Sequence, residues 1–426
     1  MWHKRLVSAT NTVFSFEMLF ILFLFAGVFK SDPRFAWIPM DLTLLMMALT
    51  ILLGSWIMLK SKLYVERTAI VFGIAYLAFA IFAIVSLLWT PGVTYATDKA
   101  IKMLTLVGWS TIGSAWIIAQ DPVRVARFQI AMMLFAVWIA FEGVLVYMQN
   151  GNGGFVNVMG GTYLGAGQII GLGAIVSLCY GLLNKGPIGW NLVAFLILGL
   201  CLFQLLVGGG RGPFLAFIVS CVMLIPYMLD VRRNRLYIHR FTLVLVIFMS
   251  VLALSAWAWS QSGSPPQTLS RLELLMPGSD GIGSSAATRV NNADDAIELW
   301  MNHPFIGNGV GSWPILTKMD DFRDYPHNLF VEVLVELGVA GIMLLMILLS
   351  FVIRSIVLIY KKPLSRMMIV LIMMAIYMLF NVLVSGDIPD NRVFFAAMGL
   401  LMAVYSRERK GGAAILLNAE TDGVHK

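Results

Sequence analysis

Charged side chains are scarce in this chain. Lys, Arg, Asp and Glu together make up 12% of 426 residues, about half the share of an ordinary soluble domain. A water-exposed globular surface is therefore excluded. Cysteine is nearly absent: Cys179, Cys201 and Cys221 all lie inside apolar runs, where they read as small buried apolar residues and not as disulfides or metal ligands. Spaced carboxylate motifs are missing as well. Asp294-Asp295 and Asp320-Asp321 are adjacent pairs, and neighbours on a helix point in different directions, so they read as solvated charges and not as an ion site. No internal repeat is evident. The first apolar run lacks a small-x-small cleavage site, so it reads as an anchor and not as a removed signal.

What is abundant is hydrophobic sequence: 59% of the residues, with a mean hydropathy of +0.84. Apolar runs near the ~20 residues needed to cross a bilayer as helix recur from end to end. They fall at Asn11–Phe29, Leu42–Leu59, Thr68–Trp89, Ile101–Ala119, Phe128–Met148, Tyr163–Leu183, Ile188–Val207, Pro213–Leu229, Phe241–Trp259, Leu329–Ile353, Met367–Ser385 and Arg392–Tyr405. Ten-residue alternation is absent, which excludes a barrel. The expectation is an all-α polytopic membrane protein of about 12 helices. Helices 1–9 occupy 1–259, one large loop with a short helix occupies 260–328, helices 10–12 occupy 329–405, and 406–426 is a tail.

Orientation follows from the basic residues. With the N-terminus inside, twenty of the thirty Lys and Arg fall on inner segments, including Arg232, Arg233 and Arg235, and ten on outer ones. That bias puts both termini in the cytoplasm. Because the basic residues are dispersed over alternate loops, the net charge of +7 is mostly a topology signal and a nucleic-acid partner is excluded. Outer Arg34, Lys99 and Lys102 read as topology or headgroup charges first and as secondary phosphate contacts second.

The large loop therefore faces outward, and long loops on a rigid scaffold usually carry function. It opens with the polar exit Gln261 to Pro266 and a glycine- and serine-rich stretch, Pro277 to Ser285. A helix from Ala286 to Asn302 follows, with Val290, Ala293, Ile297 and Trp300 at three- and four-residue steps. Three groups with useful chemistry fall on this face. Arg211 follows Gly208-Gly209-Gly210 and opens the next helix, where backbone amides and the helix dipole favour an anion. Arg289 starts the loop helix. His327, in Tyr325-Pro326-His327-Asn328-Leu329, stands at the mouth of a helix carrying Glu332 and Glu336. An imidazole titrates near pH 6.5, which suits a base for a hydroxyl proton. The plain alternatives are a tight turn with an interfacial arginine, a solvated arginine and a helix-start residue. Glu336 and Glu332, four apart on one face, could orient His327, hold an arginine or make a polar contact between helices. Gln168 in the sixth run is a candidate sugar or phosphate ligand, with packing the plainer reading. Glu17 and Glu142 receive no role.

Three blocks resemble those of the O-antigen ligase and polymerase superfamily, which also holds bacterial protein O-oligosaccharyltransferases. They are Arg211-Gly212; Thr288-Arg289 with Trp300 and Asn302-His303-Pro304-Phe305-Ile306-Gly307-Asn308-Gly309; and Pro326-His327-Asn328-Leu329 with Glu336-Leu337-Gly338 and Gly341. Together they extend from Gly208 to Gly341. The resemblance implies an O-antigen ligase in the bacterial inner membrane, active on the periplasmic face. It would move preassembled polysaccharide from undecaprenyl diphosphate to a sugar hydroxyl of lipid A core, with inversion and without metal or other cofactor. On that reading Arg211 and Arg289 grip the diphosphate and His327 is the base, with Asn328, Glu336 and Gln168 in support. A polymerase or an O-oligosaccharyltransferase of the same superfamily is the near alternative, and a lipid or glycan transporter the distant one.

Overall fold

In a computed structural model of the chain, the described residues are 11–423, apart from 62–64, 151–153, 184–187, 223–228, 233–234, 239–245, 247–249, 251–253, 256, 260, 262–264, 275–283 and 360–364. The protein is a polytopic membrane protein whose described spans are all helical. Seven described helices are long and apolar enough to cross a bilayer. They are α2 (Leu42–Ser61), α3 (Arg67–Val85), α4 (Thr94–Ile118), α5 (Pro122–Asn150), α6 (Tyr163–Leu183), α7 (Ile188–Val207) and α12 (Leu329–Ile359). Three shorter apolar helices are α1 (Phe16–Phe29), α8 (Arg211–Val222) and α13 (Arg366–Val382). The last helix, α14, runs Arg392–Gly423. Most of the expected span Phe241–Trp259 lies outside the described residues, as do most of the glycine- and serine-rich stretch and part of the loop's polar exit. In the expected loop, α9 (Gln267–Glu273), α10 (Ser284–Asn302) and α11 (Trp313–Lys318) are helical. The described strands are one short antiparallel hairpin, β1 (Leu229–Arg232) with β2 (Arg235–Ile238).

The chain forms two compact units. The first comprises Met1–Thr50, Arg127–Asp294 and Ile372–Ser385. Its centre is α6, buried along most of its length, with α7, α8 and α1 packed around it. A Cβ on Gly171 would lie 2.1 Å from the Tyr377 hydroxyl. That hydroxyl donates to the carbonyl of Gly167 at 3.0 Å. Small residues give helices in lipid this kind of close approach.

The second unit comprises Ile51–Ala126, Asp295–Leu371 and Gly386–Lys426. Here α3, α4, α12 and α14 pack on one another. An aromatic cluster of Tyr76, Phe79 and Phe395 joins α3 to α14. Within α4 the helix widens to π geometry at Met103–Val107, where the Met103 carbonyl accepts the Gly108 amide and also the buried Tyr76 hydroxyl at 2.5 Å. A second π segment follows in α4 at Gly113–Ile118, and α12 is broken where Gly338 takes φ 63°, ψ −162°. Loop residues take over the hydrogen bonds that this break releases, as described below.

Candidate active site

In the first unit, α7 ends at Val207, where the Gly208 amide donates to the Gln204 carbonyl. Gly209 then turns with φ +84°, a left-handed conformation that costs glycine little. Arg211 opens α8 with Pro213 in its first turn, where the missing amide is no loss. The short helix α9 is docked on this turn by its own polar atoms. The Thr268 hydroxyl donates to Leu205 O at 2.8 Å and accepts the Gly209 amide at 3.0 Å. Arg271 Nη1 donates to Gly209 O at 2.6 Å and to the Tyr163 hydroxyl at 3.3 Å. Its guanidinium lies over the rings of Phe155 and Tyr163, which stack at 4.2 Å. Arg211 Nη1 in turn donates to the Arg271 carbonyl at 3.1 Å.

These residues border a cavity of about 240 Å³ lined by Arg211, Arg271, Arg289 and Gln168 together with apolar Leu164, Leu215, Phe380 and Val384. Arg211 is buried, and the charges of Arg271 and Arg289 both act on it. Three guanidinium groups in one mostly apolar cavity repel one another unless an anion joins them. Guanidinium forks suit phosphate oxygens, and a doubly charged phosphate group balances several of them at once. The structure thus brings Arg211, Arg289 and Gln168 together and adds Arg271, which no sequence pattern had marked.

In the second unit, His327 stands one residue outside the cap of α12. Its φ is +62°, a region where a non-glycine residue costs about 1–3 kcal/mol and that is enriched at functional sites. The neighbours hold it there. Asn328 caps the helix, its Oδ1 accepting the amides of Phe330 at 3.0 Å and Val331 at 3.2 Å. Leu329 is buried. The Tyr325 ring meets the imidazole edge-on with centroids 4.6 Å apart. Burial, with the charge of Asp390, pushes the Tyr325 phenol up to about 12, so it remains a neutral hydroxyl at working pH. The Arg323 guanidinium lies 5.5 Å from the Tyr325 ring and pairs with Asp390.

One turn into α12 the structure corrects the reading of Lys99. Sequence placed it among outer topology charges. It is instead fully buried, with Nζ 2.5 Å from Glu332, 2.8 Å from Glu336 and 3.3 Å from Asp387. The reason is tertiary. Glu332 and Glu336 share one face of α12 and Asp387 approaches from the loop before α14, so a single ammonium meets three carboxylates. Tyr95 donates to Asp387 at 2.8 Å and the Ile388 amide to Glu332 at 3.2 Å. Burial would push the Asp387 carboxyl up, but Lys99, hydrogen bonds and Arg323 outweigh it and hold the group below the usual range. Glu336 is therefore a partner of Lys99 on α4, the polar contact between helices that the sequence offers as one of its three readings.

The glycines of the second and third blocks meet here as well. The segment from Pro304 to Gly309 lies against the break at Gly338. The amides of Asn308 and Gly309 donate to the carbonyls of Val335 and Glu336, and those of Val339 and Ala340 to Pro304 and Phe305. Asn308 Nδ2 donates to Val335 O and Leu299 O. A Cβ on Gly338 would lie 2.5 Å from Gly307 N, and one on Gly307 would lie 2.4 Å from the Glu336 carbonyl.

Three other acids have structural partners. Asp321 accepts the amides of Val93, Thr94 and Tyr95 at the start of α4. Glu142 pairs with Arg34 at 2.7 Å, and Lys102 with Asp98. Among the described residues no three His, Cys, Asp or Glu are grouped as a metal would need. Arg271 and Lys99 were missed because a lone basic residue in a loop or at a helix start gives no periodic signal, and only tertiary pairing distinguishes it.

A search of curated proteins finds no match to the chain. A family model described as O-antigen ligase matches residues 193–346, a segment that contains Arg211, Arg271, Arg289, His327 and Glu336. The resemblance in the three blocks is thereby borne out: the match at residues 193–346 contains all three and supports the O-antigen ligase superfamily.

Proposed function

We propose that the protein is an O-antigen ligase that transfers preassembled polysaccharide from undecaprenyl diphosphate to a sugar hydroxyl of lipid A core. The observation that carries this reading is the cavity in which Arg211, Arg271 and Arg289 share mostly apolar walls. A charged group attached to an apolar chain fits that combination, since guanidinium forks grip the phosphates and apolar walls accept the first part of the chain.

A glycosyl diphosphate is already activated, because its leaving group departs as a stabilised anion. The arginines would hold that anion and offset the charge gathering on the bridging oxygen. His327 would take the proton of the incoming hydroxyl, a contribution of about 100- to 10,000-fold for a positioned base. Attack opposite the diphosphate inverts the anomeric carbon. The strained backbone of His327 and the neutral Tyr325 beside it support a fixed imidazole. Gln168, which lines the same cavity as the arginines, would hold a phosphate or the first sugar. Asn328 would act by fixing the start of α12, and Glu336 by anchoring that helix through Lys99. The basic-residue bias supports a site on the periplasmic side of the bacterial inner membrane, with residues 260–328 on that side.

Purified protein in detergent, given carrier-linked glycan and lipid A core, tests this. Glycan joined to lipid A core is the expected product. Glycan lengthened on the carrier would establish the polymerase alternative. The broken α12 and the buried Lys99 that pairs with it from α4 are features that transporters also use near the membrane midplane. Movement of carrier-linked glycan across vesicles with no covalent product would establish that reading.

A further inference from the structure

We propose that the segment from His303 to Gly311 is a re-entrant loop that enters the bilayer beside α12 and presents Phe305 and Ile306 to lipid acyl chains. The depth follows from helix geometry. Gly338, which the loop touches, is sixteen residues before Arg354 on α12, roughly 24 Å at 1.5 Å per residue. Arg354 is exposed at the opposite end of the span, and the hydrocarbon core is ~30 Å thick. The Pro304–Gly307 turn is thus several ångströms below the surface on its own side. A second helix agrees. Val310, where the loop returns, donates its amide to Ser86, nineteen residues beyond Arg67 on the α3 rod, roughly 28 Å from that end. The chain is deeper at Phe305 than at Val310.

Irregular backbone at such depth needs its polar groups satisfied within the protein. Those that meet α12 and α3 are. The Gly307 amide donates to His303 O, those of Asn308 and Gly309 to α12 carbonyls, and the carbonyls of Pro304 and Phe305 accept α12 amides. Trp300 Nε1 also donates to Pro304 O, and the Val310 carbonyl accepts Thr90. The composition fits the same environment, since residues 304–317 contain no Asp, Glu, Lys or Arg. Phe305 is 77% exposed and Ile306 46% exposed. Large apolar side chains held outward at this level, on a loop hydrogen-bonded along its inner side to α12, have hydrocarbon as their surroundings.

Spin labelling of the full-length protein in phosphatidylethanolamine–phosphatidylglycerol vesicles tests the proposal. The native cysteines are buried, and unmutated protein treated with the label supplies their background. A nitroxide on Phe305→Cys should collide with oxygen more than with a water-soluble nickel chelate, matching a label on Met343→Cys, an exposed position farther along α12. A label on Met319→Cys, exposed beyond α11, should show the opposite preference. Ile306→Cys repeats the measurement if Phe305→Cys does not assemble. Nickel accessibility at 305 or 306 equal to that at 319 would overturn the proposal.

Discussion

Arg211 and Arg271 brace each other through their backbones. Arg211 donates to the carbonyl of Arg271, and Arg271 donates to the carbonyl of Gly209, two residues before Arg211. An ammonium in place of Arg271 keeps the charge but cannot reach Gly209 and Tyr163 together. Charge-assisted hydrogen bonds are worth about 1.5–3 kcal/mol. Arg271→Lys should therefore weaken binding of undecaprenyl diphosphate by about tenfold or more, measured by tryptophan quenching on purified protein. Wild-type affinity would remove Arg271 from the account.

Gly338 is confined twice, by its φ of +63° and by Gly307. With ψ −162° that backbone is open essentially to glycine alone and costs another residue about 1–3 kcal/mol, and forcing a methyl into a packed contact costs about 1–3 kcal/mol more. Gly338→Ala should thus lose roughly 2–6 kcal/mol of stability, seen in detergent unfolding curves. Gly189→Ala, where an added Cβ meets nothing within 4 Å, should not. Equal midpoints for the two variants would contradict the described packing.

Lys99→Met would leave Glu332, Glu336 and Asp387 buried without their shared ammonium. Breaking a buried ion pair by removing one partner costs about 3–5 kcal/mol. The variant should lose its monodisperse peak in fluorescence-detected gel filtration, and adding Glu332→Gln and Glu336→Gln should restore part of it. A well-behaved Lys99→Met protein would show that the cluster does not hold α12 to α4.

Asp321 caps α4 from a distance. Hydrogen bonds from the backbone amides of Thr94 and Tyr95 hold its carboxyl below the usual carboxylate range. A depressed folded value means that the stabilisation is fully present above the unfolded pKa near 3.9 and is lost as pH falls through the folded value. A negative charge at a helix start is worth about 0.3–1 kcal/mol. Asp321→Asn should lower the unfolding midpoint at neutral pH, with the gap to wild type closing below about pH 4. A gap that persists unchanged into acid would rule out the charge as its cause.

The membrane class was legible in the sequence because hydropathy is additive along a helix and needs no knowledge of neighbours. Most helix positions followed from the same runs, as at Tyr163–Leu183 and Ile188–Val207. The start of α4 was not, because Thr94 to Lys102 is too polar to read as part of a span. Its lysine is buried only through carboxylates more than two hundred residues away. Nor was the break in α12, since a glycine inside an apolar run reads as tolerated until Gly307 is found against it. Arg211, Arg289 and Gln168 could be named from their local settings, and the structure gathers them on one cavity. Arg271 lies twelve residues beyond the apolar run that ends at Trp259, and only the Gly209 carbonyl and Tyr163 hydroxyl it meets reveal it.

The central claim is that one imidazole does the proton chemistry while the arginine cavity binds the donor. The most direct measurement is the ligation rate of purified His327→Ala protein, with donor affinity measured on the same sample. The account predicts a rate lower by about 100-fold or more with binding of undecaprenyl diphosphate unchanged. A folded His327→Ala protein that joins glycan to lipid A core at the wild-type rate would contradict it.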